Sequence, residues 1–94
     1  MTCYIITFDL KRFTKSYKSF YQQIRKHNYA TLSKCAYVIT TPLSALELYK
    51  DLSPHVDEKD VLFVGELTGS SASHGLAPNV AAWIKKNLST DFLL

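Results

Sequence analysis

Glycine and proline are scarce in this chain, three of each among 94 residues, which excludes collagen-like repeats and Pro/Gly-rich disorder. Cysteine is scarcer still. Cys3 and Cys35 make no disulfide framework, and their spacing fits neither a zinc site nor a CxxC redox pair. Two buried thiols of a cytoplasmic protein are the expectation. No apolar run reaches the ~18–20 residues of a membrane helix, so no membrane partner is expected. The opening Met-Thr-Cys-Tyr-Ile-Ile-Thr-Phe-Asp has no basic stretch and meets an acid early, unlike a signal peptide. P-loop, Rossmann, zinc and nucleophile-elbow signatures are absent, as are internal repeats and linkers. Acid is nearly missing from the first third, where Asp9 stands alone against seven Lys and Arg up to Lys34.

What is present is a core. Apolar residues make up 47% of the chain, enough for one domain over 1–94 that buries ~60–65% of its unfolded surface. The first strand, over 3–9, is apolar, aromatic and β-branched, and ends in Asp9. Alternation sets Cys3, Ile5, Thr7 and Asp9 on one face and Tyr4, Ile6 and Phe8 on the other. Both faces are largely apolar, so both should be covered.

A basic loop follows, and then a helix from about Lys15 to His27 with Tyr17, Phe20, Tyr21 and Ile24 as its apolar stripe. Residues 29–32 and 36–40 read as a hairpin joined by a short turn. Ser44 and Glu47 form a capping-box signature for a second helix that runs to about Leu52 and buries Ala45, Leu48, Tyr49 and Leu52. Asp57, Glu58 and Asp60 read as solvated turn residues. Val61–Leu67 is a last strand. The flexible Ser70–Gly75 stretch then leads to a third helix that buries Val80, Trp83, Ile84 and Leu88. The order predicts an α+β fold: a ferredoxin-like β-α-β-β-α-β split βαβ sandwich with an extra C-terminal helix. In that topology the first strand is central, and the helices leave its Ile5, Thr7 and Asp9 face open.

Charge is segregated. The seven bases up to Lys34 give a basic half, whereas residues 35–94 carry four lysines against seven acids. Such asymmetry fits a polyanion-facing surface, charge-complementary self-association or a simply solvated helix face. Lys11, Arg12, Lys15, Lys18 and Arg25 are the candidate phosphate-contacting set for RNA or DNA. His74, in the flexible stretch, is a candidate acid or base. Asp9 has two readings. It is a metal or catalytic carboxylate, or it is a peg that accepts loop amides or pairs with Lys11 or Arg12.

The strand ending Phe8-Asp9-Leu10 with its basic loop and helix resembles the CRISPR-associated adaptation nucleases, small ferredoxin-fold partners of the CRISPR integrase. The likeness is closer to stand-alone SinR-like members. It extends over Leu32–Thr40, the Ser44–Glu47 helix start, Leu62–Gly69 and Trp83–Leu88. Virulence-associated protein D, a toxin ribonuclease, shares that fold. Lys34–Val38 stands where the adaptation family carries a glutamine and a Ser-Val-Phe-like run, and the Trp83 helix replaces its tail strand. The resemblance implies a homodimer in which two Asp9 carboxylates face each other and hold Mg2+ or Mn2+ for phosphodiester hydrolysis. Two alternatives stay open: a non-catalytic dimeric module that binds nucleic acid or a protein, and a small regulator or inhibitor with the same surfaces.

Overall fold

The structure, a computed structural model, describes residues 1–12 and 16–88. Its elements are β1 (Thr2–Asp9), α1 (Lys18–Arg25), β2 (Asn28–Ser33), β3 (Ala36–Thr41), α2 (Ala45–Leu52), a 3-10 turn (Ser53–His55), β4 (Val61–Leu67) and α3 (Pro78–Asn87). The strands form one antiparallel sheet in the order β2-β3-β1-β4. The fold is therefore α+β, compatible with a ferredoxin-like arrangement. No helix among the described residues is long and apolar enough to cross a membrane.

β1 is central because both of its faces are apolar, and its period-two alternation divides the molecule. Tyr4, Ile6 and Phe8 join Tyr37 and Ile39 of β3 under α1 and α2. Phe20 and Ile24 of α1 and Leu48 and Leu52 of α2 complete this core, all four fully buried. Phe8 meets Phe20 edge-on at 5.0 Å between ring centroids and lies nearly parallel to Tyr37 at 6.1 Å. Pairs of this kind add ~0.5–1.5 kcal/mol each beyond the area they bury.

α1 starts later than its apolar stripe suggests, at Lys18, after a Tyr17 that caps nothing with its side chain. The capping box of α2 is formed as expected. Ser44 Oγ accepts from the Glu47 amide at 3.1 Å, and the Glu47 carboxylate accepts from the Ser44 amide at 2.8 Å. Tyr49 departs from expectation: it is 44% exposed, because Leu48 and Leu52 already fill the sheet-facing side of so short a helix. Cys35 departs too. It sits exposed in the β2–β3 turn, whereas Cys3 is buried.

The opposite face of the sheet is not left open along its whole length. α3 lies on it, and Val80 is buried with Ala30 and Val38 while Ile5, Leu67, Leu76, Trp83 and Ile84 pack around them. A small polar network fixes this helix. The Trp83 Nε1–H donates to Asn28 Oδ1 at 3.0 Å, and Asn28 Nδ2 donates to Thr40 Oγ1 at 2.9 Å and to Asn87 Oδ1 at 3.1 Å. The expectation that the helices leave Ile5 uncovered is thus corrected. At the other end of β1, Thr7 is half-buried and Asp9 is exposed.

Candidate functional site

Asp9 closes β1, in register with Val61 of the edge strand β4. The pairings Thr7↔Phe63 and Ile5↔Gly65 put Val61, Phe63 and Gly65 on the same face as Asp9. Val61 and Phe63 are 52% and 58% exposed, large apolar side chains left beside the carboxylate. Gly65 helps to shape this surface, since a Cβ there would stand 2.7 Å from the Phe63 ring. The ring can lie across the strand only because that position has no side chain.

Within one chain Asp9 is an ion-pair partner. Its Oδ2 lies 2.7 Å from Lys11 Nζ, with both side chains about half exposed or more. The hydrogen bond to Asp9, followed by its charge, raises the Lys11 ammonium above its ordinary range. The pairing reading of Asp9 is therefore realised in the single chain.

The loop amide is held elsewhere. Asp60 Oδ1 accepts the Lys11 backbone N–H at 2.7 Å, and its Oδ2 accepts the Asp57 backbone N–H at 2.7 Å and the Tyr17 phenol at 2.9 Å. That phenol in turn accepts the Arg12 backbone N–H at 3.3 Å. Arg12 Nη1 pairs with Asp57 at 3.1 Å. The acidic turn thus clamps the basic loop, and Asp57 and Asp60 are structural partners rather than solvated turn residues. Sequence reasoning missed this, because the contacts between the two loops join residues 43 to 49 positions apart in the chain. The one available signal was the opposite charge of the two loops.

Among the described residues, the basic candidates do not form one patch of free cations. Lys11 and Arg12 are exposed yet ion-paired, and Lys18 is exposed at the start of α1. Arg25 sits 5.3 Å from the Tyr21 ring centroid and 5.8 Å from that of Tyr37, and its Nη2 donates to the Tyr37 hydroxyl at 2.8 Å. That bond, first among its causes, raises the Arg25 pKa further. Lys15 lies outside the described residues. His74 is exposed and lines a cavity shared with Cys3, at the opposite end of β1 from Asp9. Six residue-to-residue steps of strand set Cys3 and Asp9 ~20 Å apart, so one chain does not bring His74 to Asp9.

No group of three or more His, Cys, Asp or Glu able to hold a metal ion occurs among the described residues. One chain offers Asp9 as a single carboxylate with an ammonium already on one oxygen, which is not a divalent-cation site by itself. A second acid from another copy would be required. No family model, curated protein or solved structure matches the chain.

Proposed function

We propose that the protein acts on nucleic acid as a homodimer, in which the Asp9 carboxylates of two copies share one Mg2+ or Mn2+ and an RNA or DNA phosphodiester is hydrolysed. The carrying observation is that Asp9 shares its sheet face with the exposed Val61 and Phe63. An apolar strip on a sheet face is suited to meeting its own copy, and a two-fold axis there would supply the second acid. The strand order, read as a ferredoxin-like split βαβ sandwich, supports the reading, as does the likeness to the CRISPR-associated adaptation nucleases.

The roles follow from charge. Two carboxylates across an axis repel, and a divalent cation between them removes the repulsion. When bound, the cation polarises a phosphoryl oxygen and lowers the pKa of its water. Lys11 and Arg12 follow Asp9 by two and three residues and, on leaving Asp9 and Asp57, would position the phosphate backbone without reading base sequence. Lys18, exposed at the start of α1, is a further candidate phosphate contact.

The Asp9–Lys11 pair favours a second reading, a non-catalytic dimeric module or regulator that binds nucleic acid or protein. An acid neutralised by its neighbour needs no metal to be stable where it is. Asp9→Asn separates the two. The nuclease reading expects Mg2+- or Mn2+-dependent cleavage of RNA or DNA that this variant abolishes while sedimentation still reports a dimer. Absence of cleavage on single- and double-stranded RNA and DNA, with salt-sensitive binding unchanged by Asp9→Asn, selects the binding module. A monomer at all concentrations rejects the shared site.

A further inference from the structure

At the Cys3 end of β1, away from Asp9, a cavity of about 360 Å3 opens between the sheet and α3. Cys3 and Ile5 are part of its floor, and Trp83 and Ile84 part of its wall. The segment 70–74 forms its rim, with the hydroxyls of Ser70, Ser71 and Ser73 and the His74 imidazole. Its volume lies within the ~300–1,000 Å3 range of small-molecule sites, which are apolar inside with a few polar groups at fixed places.

Two features distinguish this cavity from a packing gap. Its wall is held in place before anything binds: the Trp83 indole is tied to Asn28, which is tied to Thr40 and Asn87. A wall already fixed loses little freedom on binding. The rim is bracketed by Gly69 and Gly75, at φ of +38° and +81°, and nothing lies within 4 Å of where a Cβ would stand at either. These glycines are required by backbone conformation rather than by space, and they turn the serine-rich segment over the cavity.

Charge identifies the class of occupant. Among the described residues, none that lines the cavity is Asp, Glu, Lys or Arg. An ionised ligand would lose its hydration there with no Lys or Arg to meet it and only the exposed His74 imidazole at the rim, which disfavours nucleotides and carboxylates. We propose that this cavity binds a small, uncharged, largely apolar molecule whose single hydroxyl or carbonyl meets the serine rim. The site is independent of the Asp9 surface and of the activity proposed for it.

Trp83 is the only tryptophan, so its fluorescence reports on the cavity wall directly. Octan-1-ol is the neutral probe and octanoate its charged counterpart. The expected result is a saturable change in Trp83 emission with octan-1-ol, at least about tenfold weaker with octanoate, and lost in the cavity-filling variant Ile84→Phe. Circular dichroism checks that the variant folds. If it does not, a Cys35→Ser background leaves Cys3 as the only thiol, and octan-1-ol should slow its modification by an aromatic disulfide. A change that never saturates, persists in folded Ile84→Phe or is matched by octanoate overturns the proposal. Binding seen only after deletion of residues 89–94 overturns it in favour of the chain's own Phe92-Leu93-Leu94. A response that follows protein rather than octan-1-ol concentration overturns it in favour of a second copy.

Discussion

The Lys11 backbone N–H donates to the Asp60 carboxylate at 2.7 Å, across 49 positions of sequence. This bond holds the chain immediately after β1 against the turn before β4, and so sets where the Lys11 side chain meets Asp9. The same carboxylate holds its own turn through the Asp57 amide. Asp60→Ala is expected to destabilise the fold by about 1–3 kcal/mol, since it removes a charged acceptor from several donors at once. Urea denaturation measures this, and amide exchange at Lys11 should accelerate in the variant. An unchanged midpoint would show that water replaces the carboxylate without loss.

His27 carries a pH dependence. Its Nε2 is buried with no hydrogen-bond partner among the described residues. Desolvation lowers its pKa, the Lys26 charge lowers it further, and Asp51 offsets part of the shift. The unfolded imidazole titrates near ~6.5, so below that pH the unfolded chain binds more protons than the folded one. Stability should therefore fall as pH drops from 7 towards 5. His27→Gln should flatten that fall in thermal melts across the range.

The α2 capping box supplies a calibrated local effect. Ser44→Ala removes the acceptor for the Glu47 amide and should cost about 1 kcal/mol by chemical denaturation. Ser44→Asp should retain most of that stability, because its carboxylate can accept the same amide and suits the helix N-terminus.

Gly65 separates surface shape from stability. A Cβ at this position meets only the far end of the Phe63 ring and, at 3.8 Å, Ile5. The ring is exposed and can swing away, and alanine loses less backbone entropy than glycine on folding. Gly65→Ala is expected to change stability by less than about 1 kcal/mol while displacing Phe63. If the Val61–Phe63 strip joins two copies, the same variant should weaken association in sedimentation, leaving the monomer melt almost unmoved.

Much of the architecture is legible from local pattern. The alternation Tyr4-Ile6-Phe8 against Cys3-Ile5-Thr7, the Phe20–Ile24 spacing and the Ser44/Glu47 pair each encode an element through contacts no more than a few residues apart. The α+β class follows from their order. Tyr49 departs because a helical period ranks the sides of α2 but does not say how much of each side a neighbour covers, and Cys35 departs because the general preference of free thiols for the interior yields to its place in the β2–β3 turn.

By itself the sequence determined the elements, the central place of β1 and the position of Asp9 at its end, because periodicity and capping act over short range. Only the tertiary structure decided what surrounds that acid. Asp60 rather than Asp9 anchors the basic loop, α3 covers the Ile5 end of the face, and Val61 and Phe63 stay exposed at the Asp9 end. Those outcomes depend on contacts between segments distant in the chain. They follow from how each helix lies across a four-stranded sheet, which no local spacing specifies.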